Sequence, residues 1–101
     1  MKHFLLFYDF GPNILEERTP HRAAHLAFLN LHAERGDLVL AGALANPLDG
    51  GVMVFKAESA GDVERIAALD PYVAHGVAKS WRVREWTTVV GKDALTKIVL
   101  T

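Results

Sequence analysis

The sequence predicts an α+β protein with a ferredoxin-like βαββαβ sandwich, in which one antiparallel sheet carries two helices on a single face. Two observations support this fold. Four segments with strand composition and two with helix composition follow one another in the order β-α-β-β-α-β. The chain has 101 residues, half of them hydrophobic, which is enough for one domain with an apolar core. We therefore expect a single domain over residues 1–101, with its core in residues 1–90 and a C-terminal extension in residues 91–101.

The first strand is predicted at residues 3–9, where Phe, Leu and Tyr are frequent and no helical period is present. A loop over residues 11–19 follows this strand. The first helix is predicted to begin at Thr19-Pro20, because a hydroxyl N-cap followed by proline is a common helix start. Strong helix formers continue to Arg35, and Gly36 is expected to end the helix.

A hairpin is predicted after the first helix. Residues 37–44 and 51–57 have strand composition, and the turn-forming sequence Asn46-Pro47-Leu48-Asp49-Gly50 separates them. The two segments are therefore expected to pair as antiparallel neighbours.

The second helix is predicted to begin after Ser59, a hydroxyl cap with Asp62 three residues later. It is expected to end near Leu69, because Pro71 disfavours a helical conformation in the residue before it. The last strand is predicted at residues 80–90.

The predicted strands are apolar on both faces, which one layer of helices does not explain. In the first strand, one face carries Phe4, Leu6 and Tyr8. The opposite face carries Leu5 and Phe7. Two helices cover only one face, so we expect the other face to pack against a second copy of the chain in a homodimer. The apolar run at residues 97–100 is expected to join this contact, and the alternative is that it folds back over its own sheet.

Composition limits the partners and the chemistry. Eleven basic and twelve acidic side chains are interspersed and give a net charge of −1, so we expect no nucleic-acid partner and no membrane surface. Trp81 and Trp86 lie beside Arg82 and Arg84, a composition that also occurs in single-stranded nucleic-acid sites, but rings buried in the sheet or the dimer contact are favoured. A small-molecule ligand is therefore the partner that we expect.

Several classes of site are missing from the sequence. The chain has no cysteine, which excludes disulfides, thiolate nucleophiles and cysteine-based metal sites. No GxGxxG or GxxxxGK phosphate loop occurs, and we expect no cofactor. The apolar stretch at residues 4–8 is too short for a signal peptide, and no run is long enough for a transmembrane helix, so a cytoplasmic location is expected.

Three histidines lie on one face of the first predicted helix. His21, His25 and His32 fall within roughly 40° of one another at 100° per residue. They border an apolar stripe that consists of Ala24, Phe28 and Leu31. His32 lies about 10 Å along the axis from His25 and no HExxH glutamate is present, so we expect no metal site. His21 and His32 are predicted to be partly exposed helix residues.

His25 and Asp70 are the main candidates for acid–base chemistry. His25 lies one turn inside the helix at the border of its apolar stripe, where an imidazole keeps a fixed partner and a pKa useful for proton transfer. Asp70 precedes Pro71 and Tyr72 just after the second helix. Each residue also has a structural interpretation: His25 as a satisfied core histidine, Asp70 as a turn residue, and Tyr72 as a core ring rather than a hydroxyl donor or lid.

Two further residues are candidates for contact with a ligand. Arg22, one turn before His25, is suited to bind a carboxylate or a phenolate, and pairing with a surface acid is the alternative. Gly42 would let a ligand approach the backbone of a strand, and the alternative is that it marks a β-bulge.

These residues belong to a set of motifs that resembles a known family. The set comprises Arg22-x-x-His25-Leu26, Gly36-Asp37-Leu38, Ala41-Gly42, the hairpin glycine Gly50 or Gly51, Asp70-Pro71-Tyr72 and Gly76. From the first strand to Val89, the chain resembles the YciI-like (YCII-related) family. The resemblance implies a ferredoxin-like, dimeric α/β barrel, and an enzyme whose active-site pair is His25 and Asp70, with Asp37 as a second acidic candidate.

The resemblance also implies a class of reaction. One branch of the family resembles a dehydrochlorinase that acts on a chlorinated hydroxyhydroquinone, and the wider superfamily includes muconolactone isomerases and cofactor-free oxygenases. We therefore expect lyase or isomerase chemistry on a small ring or acid. The alternatives are a non-catalytic module that binds small ligands or a protein partner, and a protein with a purely structural role in an assembly.

Overall fold

The structure is a computed structural model and describes residues 1–98. Its elements, in chain order, are β1 (Lys2–Phe10), α1 (Ile14–Glu17), α2 (Arg22–Arg35), β2 (Leu38–Leu44), β3 (Gly50–Ala57), α3 (Ala60–Leu69), α4 (Pro71–Ala74) and β4 (Ala78–Trp86). The ferredoxin-like α+β fold is confirmed. The two long helices, α2 and α3, pack on one face of the sheet, and the short helices α1 and α4 were not predicted from the sequence.

The sheet has the strand order β2-β3-β1-β4, and every neighbouring pair is antiparallel. The central strand β1 places Leu6 opposite Met53 on one side and Val83 on the other. β2 and β4 are the two edges. A bulge lies in β2 between Leu38 and Leu40, so the alternative that Gly42 marks the bulge is wrong.

The core lies between the helices and one face of the sheet. The buried hydrophobic residues include Phe4, Leu6, Tyr8, Met53, Phe55, Val63 and Ala67. The buried face of α2 consists of His25, Leu29 and His32. The predicted stripe is therefore wrong for Ala24 and Leu31, which are exposed, and correct for Phe28, which packs against the core. Two histidines instead occupy the face that meets the core.

The start of α2 differs from the prediction. The helix begins at Arg22, and its N-cap is His21, which makes no side-chain cap hydrogen bond. Thr19 belongs to the preceding turn, because its Oγ1 donates a hydrogen bond to the carbonyl oxygen of Leu15 at 2.7 Å. The predicted loop over residues 11–19 contains α1, whose Ile14 is buried in the core.

The ends of α2 and α3 follow the local sequence. Gly36 ends α2 in a left-handed conformation with φ 88°, which glycine adopts without steric penalty. At the start of α3, Ser59 Oγ accepts a hydrogen bond from the backbone N–H of Asp62 at 3.3 Å, as predicted. The helix ends at Leu69, and Pro71 is the first residue of α4.

The second face of the sheet is open in the described chain. Leu40 and Trp86 on this face are 71% and 47% exposed. Leu5 and Phe7 are half-buried, and the guanidinium of Arg82 lies 4.5 Å from the centre of the Phe7 ring. This face combines apolar side chains with the cations Arg82, Arg84 and Lys56, and the described residues of the same chain do not fully cover it.

The C-terminal segment differs from the prediction as well. β4 ends at Trp86 rather than at residue 90. The backbone N–H of Thr96 donates to the carbonyl oxygen of Thr88, and that of Ile98 to Val89, so the described tail doubles back on the chain. The end of the predicted apolar run, residues 99–100, lies outside the described residues. No helix within residues 1–98 is both long enough and apolar enough to cross a membrane.

Candidate active site

Asp70 is a fully buried carboxylate at the junction of α3 and α4, with 0% exposure. Its extended backbone ends α3, and its side chain caps α4 by accepting a hydrogen bond from the backbone N–H of Tyr72 at 3.0 Å. The same carboxylate accepts a hydrogen bond from the Tyr8 hydroxyl at 2.7 Å and contacts His25 Nδ1 at 2.8 Å. Three donors therefore converge on one buried anion, which compensates for its lost hydration.

Tyr8 is one of these donors and is itself buried. It comes from the central strand β1, so its ring is fixed by the sheet. Burial raises the pKa of the Tyr8 hydroxyl, and the neighbouring Asp70 carboxylate raises it further. The hydroxyl therefore stays protonated and donates a hydrogen bond to Asp70 Oδ2.

His25 is buried on the core-facing side of α2, and its contact with Asp70 defines its tautomer. Because an ionised carboxylate only accepts hydrogen bonds, Nδ1 carries a proton and donates a hydrogen bond to Asp70. In the neutral ring the lone pair is then on Nε2. The ring also stacks on Tyr72, with the two centroids 3.6 Å apart and the planes 4° from parallel.

Tyr72 is buried, with 3% exposure, and its hydroxyl has no hydrogen-bond partner within residues 1–98. A buried hydroxyl without a partner is unusual in a native protein, because the lost hydration is not compensated. Tyr72 lines the same cavity as His25. The Tyr72 side chain therefore forms part of the cavity wall, and its hydroxyl is buried without a partner among the described residues.

The cavity lies between α2 and the sheet and has a volume of about 330 Å³. Its lining is mainly apolar and includes Phe10, Leu26, Leu29, Leu38, Val39 and Met53. The polar groups are few: Tyr8, Arg18, Arg22, His25, Asn30 and Tyr72. An apolar cavity with a small number of polar groups is the usual form of a small-molecule site, and its volume suits a small ligand.

Both predicted ligand-contact residues lie at this cavity. Arg22 lines it and makes no salt bridge among the described residues, so the alternative of a surface ion pair finds no support. Gly42 lines it from β2, and a Cβ added there would meet no atom within 4 Å. In the register Gly42 lies opposite Val52, whose partner Phe7 is on the open face of the sheet, so Gly42 contributes its backbone to the cavity wall.

Asp37 lies elsewhere. Its carboxylate contacts His32 Nδ1 at 3.1 Å and not His25. His32 is 6% exposed, so the prediction of a partly exposed residue is wrong for this position. His21 is partly buried, as predicted, and its ring stacks on His75 with centroids 4.2 Å apart.

Two residues of the site were not identified from the sequence. Tyr8 lies in a segment of strand composition, and nothing in the local sequence indicates that its hydroxyl contacts Asp70, 62 residues away. Arg18 comes from the predicted loop, and only its position in the structure brings it to the cavity. Within residues 1–98, no group of three or more His, Cys, Asp or Glu side chains is arranged to hold a metal ion.

Comparison with known proteins identifies the family. The model of the YCII-related domain matches residues 1–87 of the chain. The chain belongs to this family. The motifs around His25 and Asp70 thus occur in a YCII-related domain, as the sequence resemblance implied. A search of curated proteins gives no match.

A solved structure has the same fold. It is that of 5-chloro-2-hydroxyhydroquinone dehydrochlorinase from Burkholderia phenoliruptrix, in complex with 2,5-dihydroxybenzoquinone. The TM-score is 0.73 and the sequence identity is 24%, over 91% of this chain and 98% of the dehydrochlorinase chain. At this identity the likeness concerns the fold of the YCII-related domain.

Proposed function

We propose that this YCII-related protein is a small-molecule enzyme in which His25 and Asp70 act as an acid–base pair on a small ring compound or acid. The main support for this function is the arrangement of hydrogen bonds at Asp70. Its carboxylate holds His25 through Nδ1, which leaves Nε2 as the nitrogen for a ligand in the cavity. A base within reach of a bound ligand and a fixed tautomer are what proton abstraction requires.

The chemistry follows from the roles of the two groups. His25 Nε2 accepts a proton from an acidic C–H or O–H of the ligand, and the ring becomes an imidazolium. Asp70 orients the ring and stabilises its positive charge, while Tyr8 and the Tyr72 backbone N–H hold the carboxylate in place. We give Asp37 no catalytic role, because its hydrogen bonds go to His32.

The remaining candidate residues bind the substrate. The Tyr72 hydroxyl donates a hydrogen bond to the ligand, which gives this buried group the partner that it lacks. Arg22 binds a negatively charged group of the ligand, and the backbone of β2 at Gly42 forms part of the wall against which the ring lies.

Two reaction types use such a pair. If the anion formed by proton transfer expels a leaving group, the enzyme is a lyase, and if the proton returns to a different carbon, it is an isomerase. The structural likeness to a dehydrochlorinase supports the first type. On a chlorinated hydroquinone, a proton first moves from a ring hydroxyl to the chlorine-bearing carbon, and that hydroxyl becomes a carbonyl. A second hydroxyl then gives its proton to His25 and also becomes a carbonyl, the adjacent ring double bond shifts to the chlorine-bearing carbon, and chloride leaves.

The test is a turnover assay with 5-chloro-2-hydroxyhydroquinone and a panel of small ring acids and lactones. Chloride release and product absorbance are measured for the wild type, His25→Gln and His32→Gln. His25→Gln is expected to lower the rate about 10²- to 10⁴-fold, because it removes the general base. His32→Gln is the matched control and should leave the rate close to the wild-type value. Circular dichroism establishes that both variants fold.

The outcomes separate the two function classes. Turnover that survives His25→Gln would rule out the acid–base role of this residue. Saturable binding of panel compounds with no conversion by the wild type would favour the non-catalytic small-ligand module.

We also propose that the protein is a homodimer that buries the open face of the sheet. Leu40, Leu44 and Trp86 are exposed on this face beside the half-buried Leu5 and Phe7. Large exposed apolar side chains on an uncovered sheet face, bordered by charged residues such as Arg82 and Arg84, are typical of protein interfaces. Light scattering measures the mass in solution, and a mass of 11.1 kDa, that of a single chain, would contradict the proposal.

A further inference from the structure

The wall of the cavity carries positive charge. Arg18 and Arg22 both line the cavity, and none of its lining residues in the described part of the chain is Asp or Glu. A cavity with low-dielectric walls and charge of one sign attracts a ligand of the opposite sign. This charge pattern is not needed for proton transfer by His25 and therefore requires a separate explanation.

Neither arginine is neutralised by a salt bridge within residues 1–98. Glu17, which precedes Arg18, makes its ion pair with Lys79 instead. Asp70 lies close to the cavity, but both of its oxygens already accept hydrogen bonds from His25, Tyr8 and the Tyr72 backbone. The donors of both guanidinium groups are thus available to a ligand.

Arg18 is held at the cavity by the structure of α1. Ile14 anchors this helix in the core with 4% exposure, and the backbone N–H of Arg18 donates to the carbonyl oxygen of Ile14 at 2.9 Å. The Thr19 hydroxyl donates to Leu15 in the same turn. Arg18 is half-buried as a result, which lowers the entropy that its side chain loses on binding.

The rest of the lining defines the body of the ligand. Phe10, Leu29 and Met53 offer apolar and aromatic surface on the same cavity. We propose that Arg18 and Arg22 together bind the oxyanion of a small ring compound, a carboxylate or an ionised phenol, whose ring lies against this apolar surface. The proposal rests on the proposed function only in placing the substrate in this cavity, and it adds Arg18 as a residue that determines specificity.

The experiment measures binding of matched anionic and neutral rings by calorimetry or NMR titration. The probes are benzoate with its neutral isostere benzamide, and 4-nitrophenolate with 4-nitroanisole. They are titrated into the wild type, Arg18→Met, Arg22→Met and Arg35→Met. Arg35 is exposed, lies at the far end of α2 and does not line the cavity, so Arg35→Met is the matched control.

The wild type is expected to bind at least one anion about tenfold or more tightly than its neutral isostere, since the hydrogen bonds of a guanidinium to an anion are stronger than those to a neutral oxygen. Arg18→Met and Arg22→Met should each remove most of this preference, and Arg35→Met should retain it. The benzoate and nitrophenolate arms identify which oxyanion is preferred. Thermal unfolding of each variant checks that its fold is intact.

Two results would overturn the proposal: no preference of the wild type for either anion, or a preference that persists in Arg18→Met. Because the assay measures binding alone, it is independent of turnover. An anion preference in a protein that converts no substrate would contradict the proposed function and support this inference. Turnover lost in His25→Gln without any anion preference would do the opposite.

Discussion

Two histidines of helix α2 each contact an aspartate through Nδ1, and the two pairs differ in their surroundings. His25 and His32 both lie on the buried face of the helix, and each contacts a carboxylate through Nδ1. Asp70 is fully buried, whereas the side chain of Asp37 is 32% exposed. Of the two histidines, His25 lines the cavity, and His32 packs edge-on against Phe28 and Phe55.

The comparison shows that the His–Asp contact alone does not define a site. The His32 pair joins the end of α2 to the start of β2, five residues later in the chain, and neither member lines the cavity at His25. The His25 pair joins segments 45 residues apart and has Tyr8 and Tyr72 as additional partners. Burial, a second donor to the carboxylate and an adjacent cavity are the features that distinguish a candidate catalytic pair from a structural one.

The largest difference between the pairs is expected on neutralising the two aspartates. Asp70→Asn leaves three donors without an anionic acceptor in a buried place, so the free energy of unfolding should fall by about 3 kcal/mol. Asp37→Asn, at a partly exposed pair, should lower it by less than about 1 kcal/mol. Urea unfolding followed by circular dichroism measures both. Equal losses would mean that the two pairs are energetically alike.

The two tyrosines at Asp70 provide a finer test of the same site. Tyr8→Phe removes a hydroxyl that donates to Asp70, and stability should fall by about 1–2 kcal/mol. Tyr72→Phe removes a buried hydroxyl without a protein partner, so stability should stay within about 0.5 kcal/mol of wild type or rise. Ligand affinity should instead fall in Tyr72→Phe. A clear loss of stability in Tyr72→Phe would indicate that its hydroxyl has a partner in the folded protein.

The smallest effect concerns His3, a buried histidine paired with a hydroxyl rather than a carboxylate. Its Nδ1 lies 2.6 Å from Thr88 Oγ1. Burial lowers the pKa of His3, Lys56 lowers it further, and Asp93 partly opposes this. Because the folded-state pKa lies below the unfolded value of 6.5, the folded protein binds fewer protons, and stability should fall as the pH drops below that value.

The measurement for His3 is urea unfolding at about pH 7.5 and about pH 5.5 in the wild type and in His3→Gln. The variant should lose less stability between the two pH values, because it lacks the group that protonates on unfolding. An identical pH dependence of both proteins would exclude a contribution from His3.

Local signals in the sequence predicted most of the fold correctly. The Ser59 cap, the Gly36 stop and the hairpin between β2 and β3 depend on neighbouring residues and are confirmed. The start of α2 was wrong because the Thr19 hydroxyl bonds back to Leu15 instead of capping the next helix. β4 was predicted too long, since residues 87–90 have strand composition but no partner strand within residues 1–98.

The sequence by itself determined the order of the elements, the ferredoxin-like fold and the membership of the YCII-related family, because periodicity, caps and motifs are local. It also named His25 and Asp70 as candidates. Only the tertiary structure decided which aspartate meets which histidine, that Tyr8 completes the arrangement at Asp70, and that Arg18 joins Arg22 at the cavity. These contacts join segments that are distant in the chain, and the packing of α1, α2 and α4 on the sheet brings them together.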